Sequence, residues 1–120
     1  MKQITIGFLG LGLIGGSIAR SIRKNFPSCR IIVYSRRKNE DLLQGQKDGI
    51  ISDITYSIDA RFSECDIIFL CAPVLQNIQF LEQLKPLINK ICIITDVGSV
   101  KGNIHKEVER LELEAQFIGG

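Results

Sequence analysis

Short apolar runs alternate along the chain with stretches in which apolar residues recur every three or four positions. The apolar runs cover residues 4–9, 30–34, 66–71 and 90–95, with shorter ones at 53–56 and from 116 onward. Helical spacing covers residues 13–26, 39–48, 73–84 and 100–113. Strands separated by helices of this length are typical of βαβ units, and continuous apolar strands are typical of parallel sheets. The pattern predicts an α/β fold with a doubly wound parallel sheet.

The composition is that of one soluble globular domain. The chain has 120 residues, of which 45% are hydrophobic and 23% are charged, enough to bury a core. No stretch reaches the roughly 20 predominantly apolar residues that a membrane span needs. With a net charge of +2 and few aromatic residues, the chain lacks the basic surface and the stacking residues that are typical of nucleic-acid-binding proteins. We therefore expect neither a membrane nor a nucleic acid as a partner.

The cysteines indicate a reduced protein without a metal site. Cys29, Cys65, Cys71 and Cys92 form no C-x-x-C pair, so the spacing of a zinc site is absent. The amino terminus leads directly into the first strand pattern and does not resemble a signal peptide. Both observations favour a cytoplasmic location.

A glycine motif follows the first predicted strand and opens the first predicted helix. Gly10, Gly12 and Gly15 match G-x-G-x-x-G, which in this context indicates dinucleotide binding. Gly10 allows a tight turn, Gly12 lets the backbone approach a pyrophosphate, and Gly15 lets helix and strand pack closely. We expect the amides of Leu13 and Ile14 to face the phosphates from the helix N-terminus. The alternative is a glycine-rich turn without a ligand.

The residues after the second predicted strand bear on the choice of dinucleotide. An NAD-binding domain usually carries an acidic residue about 20 positions beyond the glycines, on the ribose 2′-hydroxyl. This chain has Ser35, Arg36, Arg37 and Lys38 there, and no carboxylate before Glu40. A serine beside arginines is suited to a 2′-phosphate. The sequence favours NADP(H) over NAD(H), with a solvated basic turn as the alternative.

A third segment of the candidate cofactor site follows the strand predicted at 66–71. Ala72, Pro73 and Val74 lie near the point where a doubly wound sheet binds ligands. We expect their backbone to line the ribose of the nicotinamide. The alternative is that Pro73 only opens the next helix, since proline is favoured at the first helical position.

Four motifs together resemble a known family. They are GLGLIGGS at 10–17, CAPV at 71–74, DVGSVK at 96–101 and FIGG at 117–120. Over all 120 residues the chain resembles the N-terminal dinucleotide-binding domain of prephenate and arogenate dehydrogenases. The resemblance implies NAD(P)-dependent oxidative decarboxylation in tyrosine biosynthesis, in which a cyclohexadienol gives up a hydride and carbon dioxide and becomes aromatic.

The resemblance also implies a catalytic residue. Ser99 corresponds to a hydroxyl near the reacting oxygen, and its partner would be a histidine that in the family follows FIGG, directly after Gly120. A serine orients or relays a hydrogen bond there and is a poor base. Asp96 and Lys101 would shape the same region. The alternative for Ser99 is an N-cap of the last helix.

The FIGG segment starts a strand at the end of the sequence, so we expect residues 1–120 to be the cofactor domain of a longer chain. The resemblance implies further strands and a C-terminal helical domain, through which the full protein forms a homodimer. We expect the isolated fragment to bind the cofactor weakly and to be inactive. The alternatives are another Rossmann-type hydroxy-acid or imine dehydrogenase, and a non-catalytic module that senses NADP(H).

Overall fold

The structure is a computed structural model that describes residues 3–97 and 103–118. Strands and helices alternate along these residues. The strands are β1 (Thr5–Leu9), β2 (Arg30–Tyr34), β3 (Asp53–Thr55), β4 (Ile67–Leu70), β5 (Ile93–Asp96) and β6 (Phe117–Ile118). The helices are α1 (Gly12–Asn25), α2 (Glu40–Lys47), α3 (Val74–Leu84) and α4 (Asn103–Arg110), with a 3-10 helix at Ala60–Glu64.

The strands form one parallel sheet in the order β3-β2-β1-β4-β5-β6. The order reverses between β1 and β4, and ligands bind at this point in doubly wound sheets. The carboxyl ends of β1, β2 and β4 therefore lie together at one edge. This topology confirms the predicted Rossmann-type fold.

Helices cover the sheet from both sides. All five residues of β1 are buried, and neighbouring residues of the strand face different cores. Phe8 packs in the cluster that contains Ala19 of α1 and Leu42 of α2. Leu9 packs in the cluster that contains Leu81 of α3 and residues of α4. A strand buried on both faces has no polar alternation, which explains its continuous apolar sequence.

Strand β5 begins three residues later than predicted. The side chain of Asn89 accepts a hydrogen bond from the Ile91 N–H at 3.1 Å, and its carbonyl accepts from the Cys92 N–H at 3.0 Å. These bonds form a turn, so Ile91 and Cys92, although apolar, are not part of the strand. Asparagine favours such turns because its side chain reaches the backbone two residues ahead.

Helix α4 ends at Arg110, three residues earlier than predicted. Glu112 has a φ of 59°, and the Leu113 N–H donates to the Val108 carbonyl at 2.9 Å. A left-handed residue followed by a bond of this kind terminates a helix. Leu113 is still fully buried. It is apolar because it packs in the core after the end of the helix, and not because it lies on a face of α4.

No helix within residues 3–97 and 103–118 is long and apolar enough to cross a membrane. The same residues hold no group of three His, Cys, Asp or Glu side chains placed to bind a metal ion. The four cysteines are free thiols.

Candidate functional site

The turn after β1 runs close to the end of β4. Gly10 has a φ of 77° and Gly12 a φ of 57°, conformations that favour glycine. The Gly10 N–H donates to the Tyr34 carbonyl at 2.9 Å, which fixes the turn beside β2. A Cβ atom on Gly10 would lie 3.6 Å from the Ala72 nitrogen. A side chain at position 10 would therefore be in van der Waals contact with Ala72, so the two backbone segments are neighbours.

Gly15 allows α1 to pack directly on the end of β4. A Cβ atom on Gly15 would lie 2.9 Å from the Sγ of Cys71 and 3.3 Å from its Cβ. Real Cβ contacts are essentially never as short as 2.9 Å, and 3.3 Å is tighter than most, so a larger residue would force Cys71, the helix or the strand to shift. Gly15 is thus the helix-packing glycine that the motif predicts.

The first turn of α1 has backbone donors without side-chain partners. The helix begins at Gly12, its N-cap Leu11 makes no capping hydrogen bond, and the first turn holds no acidic residue. The first N–H groups of a helix have no partner within the helix, and the helix dipole favours an anion there. Leu13 and Ile14 lie in this turn with exposed side chains. The arrangement suits a phosphate group.

A cavity of about 460 Å³ lies between the turn after β2 and the start of α3. Tyr34 and Phe80 meet edge to face at its apolar end, with ring centroids 5.5 Å apart. The residues on the β2 side are Tyr34, Ser35, Arg36, Arg37, Lys38 and Asn39; those on the other side are Gly10, Ala72, Gln76 and Phe80. The cavity therefore has an aromatic wall and a cationic wall.

The cationic wall is an ordered turn. Ser35 Oγ donates a hydrogen bond to the Arg37 carbonyl at 2.7 Å, and Asn39 Oδ1 accepts from the Asp41 N–H at 2.8 Å, which caps α2. The single hydroxyl hydrogen of Ser35 is thus already used, and Ser35 shapes the turn in this conformation. Within the described ranges Arg36 and Arg37 are exposed and form no ion pair.

The segment after β4 also borders the cavity. Ala72 lines it, and Pro73 is exposed. Pro73 is the N-cap of α3, with a ψ of 154°, and Val74 is the first helical residue. The sequence predicts Pro73 in the first turn of α3, but its extended ψ places it one position before the helix, as the N-cap. Its carbonyl accepts the first bond of α3, from the Asn77 N–H at 3.0 Å.

The predicted catalytic region is described only in part. Ser99 and Lys101 lie outside the described residues. Asp96 ends β5, is 4% exposed, and is paired in register with Leu70 of β4. It lies at the same sheet edge as Ala72, which follows β4.

Four lining residues were not predicted from the sequence: Tyr34, Asn39, Gln76 and Phe80. Gln76 and Phe80 follow Pro73 by three and seven positions, a spacing that puts residues on one helix face. On α3, that spacing is the sequence feature from which Gln76 and Phe80 could have been predicted as lining residues. Tyr34 is the last residue of the β2 pattern, and a residue there is normally interpreted as part of the core.

Comparisons with known proteins agree with this geometry. The family model of the prephenate dehydrogenase nucleotide-binding domain matches residues 18–120. The prephenate dehydrogenase of Bacillus subtilis is 38% identical over 118 residues, which are 97% of this chain and 32% of that protein. The Lactococcus lactis prephenate dehydrogenase is 37% identical over 123 residues, which span 100% of this chain and 33% of that protein. The chain thus spans about a third of the length of these curated relatives.

Solved structures show the same architecture. Prephenate dehydrogenase from Aquifex aeolicus, in complex with hydroxyphenyl propionate and NAD+, is 29% identical with a TM-score of 0.84, covering 99% of this chain and 41% of that one. Synechocystis arogenate dehydrogenase is 31% identical with a TM-score of 0.81, covering 97% and 40%. The family match and these likenesses confirm the resemblance read from the motifs. The chain belongs to the family of prephenate dehydrogenase nucleotide-binding domains.

Proposed function

We propose that this chain is the cofactor-binding part of a prephenate or arogenate dehydrogenase and binds NADP(H) in preference to NAD(H). The observation that carries the proposal is the cavity between the glycine turn and a wall of three cations, Arg36, Arg37 and Lys38. Family membership supports a nucleotide as the ligand, and the charge of the wall supports the phosphorylated form.

The described residues fit a dinucleotide. The uncapped first turn of α1 offers the amides of Leu13 and Ile14 to a pyrophosphate. Gly10 and Ala72 lie next to each other and both line the cavity, and the absence of a side chain on Gly10 lets the backbone approach the ligand closely. The aromatic wall of Tyr34 and Phe80 suits the adenine ring. Ala72, Pro73 and Val74 would border the nicotinamide ribose.

The preference for a 2′-phosphate rests on Arg36 and Arg37. Among the residues that the structure describes, the cavity lining contains no carboxylate to accept a bond from a 2′-hydroxyl. A hydrogen bond to a charged group contributes about 1.5–3 kcal/mol, and solvent screening at exposed arginines lowers this. We expect a preference of roughly 5- to 30-fold for NADP(H), equivalent to about 1–2 kcal/mol.

The chemistry divides between cofactor and protein. The nicotinamide, when bound, accepts the hydride. The residues of this chain hold and orient the cofactor at the carboxyl edge of the sheet. We propose that Ser99 supplies a hydrogen bond to the reacting hydroxyl of the substrate, as the resemblance to the family implies; in the sequence it stands three positions after Asp96, the last residue of β5. Prephenate and arogenate are the proposed substrates because relatives carry those names.

The cofactor preference is tested by titrating NADPH and NADH into the wild-type chain, Arg36→Ala, Arg37→Ala and Lys24→Ala. Lys24 is an exposed cation in the last turn of α1 and does not line the cavity, so it controls for net charge. We expect the arginine variants to weaken NADPH binding roughly 5- to 30-fold and to leave NADH unchanged. Equal or tighter binding of NADH by the wild type would show that residues 35–38 are a solvated turn.

The substrate is tested with a chimera. Residues 1–120 of this chain replace the matching third of the Bacillus subtilis prephenate dehydrogenase. The reduction of NADP+ or NAD+ is then followed with prephenate or arogenate as the substrate. Ser99→Ala serves as the site variant. We expect substrate-dependent reduction that Ser99→Ala lowers without changing cofactor affinity. A chimera that binds cofactor but reduces it with neither substrate would contradict the proposed activity.

A further inference from the structure

Asn77 is a fully buried polar residue in α3, with a relative exposure of 0%. A buried amide is costly unless its polar atoms are hydrogen-bonded. Asn77 Oδ1 accepts a hydrogen bond from the Ala72 N–H at 3.2 Å, and the Asn77 N–H donates to the Pro73 carbonyl at 3.0 Å. Asn77 therefore ties α3 to the segment that joins it to β4.

The Ala72 amide is the first N–H of this segment that does not belong to the sheet. The preceding residue, Cys71, still donates to the Leu9 carbonyl of β1 at 3.0 Å. The Asn77 side chain thus takes over as acceptor where the ladder ends. Without it, the Ala72 amide would lose this acceptor, and a donor left unsatisfied is unfavourable.

Ala72 is also where this segment meets the glycine turn. A Cβ atom on Gly10 would lie 3.6 Å from the Ala72 nitrogen and 3.7 Å from its Cβ, and Ala72 lines the cavity. A small rotation of the Ala72 peptide would therefore change the spacing between two backbone walls of the proposed cofactor site.

We propose that Asn77 is a positioning residue that holds Ala72 opposite Gly10 and so sets the affinity for the part of the cofactor common to NAD(H) and NADP(H). The proposal rests on the proposed function of the cavity. Asn77 acts through the Ala72 backbone, since its own side chain is fully buried. Asn77 is separate from the cationic wall, which belongs to the turn after β2.

The test compares Asn77→Leu, which removes the acceptor at similar size, with Asn77→Asp, whose carboxyl is neutral when buried and keeps an acceptor oxygen in the same place. Gln79→Leu is the matched control, because Gln79 is an exposed residue of the same helix that does not line the cavity. For each protein we measure the Kd of NADPH and NADH, the free energy of unfolding, and hydrogen exchange of the Ala72 amide.

We expect Asn77→Leu to weaken NADPH and NADH by the same factor, roughly 5- to 30-fold, with their ratio unchanged. Exchange of the Ala72 amide accelerates relative to its neighbours, a change that a general loss of stability does not single out. Asn77→Asp retains binding and protection, and so does Gln79→Leu. If Asn77→Leu does not fold, the folded Asn77→Asp variant decides, because the proposal requires it to bind nearly as the wild type.

Three results would overturn the proposal: a folded Asn77→Leu variant that binds both cofactors normally, weakened binding with unchanged Ala72 exchange, or a changed NADPH/NADH ratio. Failure of the proposed function has a different signature. In that case the wild-type chain binds neither cofactor, while Asn77→Leu still exposes the Ala72 amide to exchange.

Discussion

Replacing Gly15 by alanine tests whether α1 is held at its observed distance from the end of β4. The added Cβ would lie 2.9 Å from the Sγ and 3.3 Å from the Cβ of Cys71. Rotation of the Cys71 side chain moves Sγ but not Cβ, so relief of the 3.3 Å contact requires a shift of helix or strand by a few tenths of an ångström. Gly16→Ala is the matched control, because its Cβ would meet only Leu11 Cδ2, at 4.0 Å.

The expected magnitudes follow from two opposing effects. Alanine is favoured over glycine in a helix by about 1 kcal/mol, and both variants receive this gain. Overpacking costs about 1–3 kcal/mol, and only Gly15→Ala incurs it. We therefore expect Gly16→Ala to stabilise the chain by up to about 1 kcal/mol. Gly15→Ala is expected to be less stable than Gly16→Ala by about 1–3 kcal/mol.

The assay is urea unfolding followed by circular dichroism on the wild type, both alanine variants, Cys71→Ala, and the double variant Gly15→Ala with Cys71→Ala. Removing Sγ removes the shortest contact, so the double variant is more stable than the sum of the single changes predicts, by about 1 kcal/mol. Equal stability of Gly15→Ala and Gly16→Ala, or additive effects in the double variant, would refute the steric argument.

Two further predictions concern stability away from the cavity. The Arg23 guanidinium donates to three backbone carbonyls in the loops after α1 and α2, at 2.7–3.2 Å. Because lysine supplies fewer donors, we expect Arg23→Lys to lower the free energy of unfolding, measured in urea, by about 1.5–3 kcal/mol. An unchanged free energy of unfolding would contradict this role. Burial raises the pKa of the Cys65 and Cys71 thiols to about 12 and that of Cys92 to about 11, from 9.0. The thiols lose their protons at a lower pH in the unfolded chain than in the folded one, so the stability of the fold decreases as pH rises above about 9. For the same reason we expect alkylation of these thiols near neutral pH to be slow until denaturant is added. Equal alkylation rates in the native and the denatured protein would contradict this.

The sequence pattern predicts the fold well because it reports burial. Strands buried on both faces are continuously apolar, and this made their parallel pairing predictable. The same rule misplaced the start of β5, since Ile91 and Cys92 are apolar but their amides bond within a turn around Asn89. The 3-10 helix at Ala60–Glu64 was not predicted because it has no apolar period; only Phe62 is buried in it.

The candidate site was predictable where it is local in sequence. The glycine turn, the basic turn after β2 and residues 72–74 are each contiguous motifs, and the sheet order brings all three to one edge. The pairing of Tyr34 with Phe80 joins residues 46 positions apart on different elements, and no pattern within one element reports it. The structural role of Asn77 depends on where the β4 ladder ends, which is a property of the folded sheet.

The cationic wall and the Ala72 segment of the cavity are held by different interactions, and this separation is itself testable. Arg36 belongs to an exposed turn shaped by Ser35, whereas Asn77 is buried behind Ala72. Since Arg36 lies in the exposed turn after β2 and Asn77 is buried in α3, Arg36→Ala and Asn77→Leu should weaken NADPH binding additively, within about 0.5 kcal/mol. The Kd of NADPH for the four proteins of the cycle measures this directly. A coupling above about 1 kcal/mol would mean that the turn after β2 and the Ala72 segment respond to the ligand as one unit, and specificity and affinity would then have a common origin.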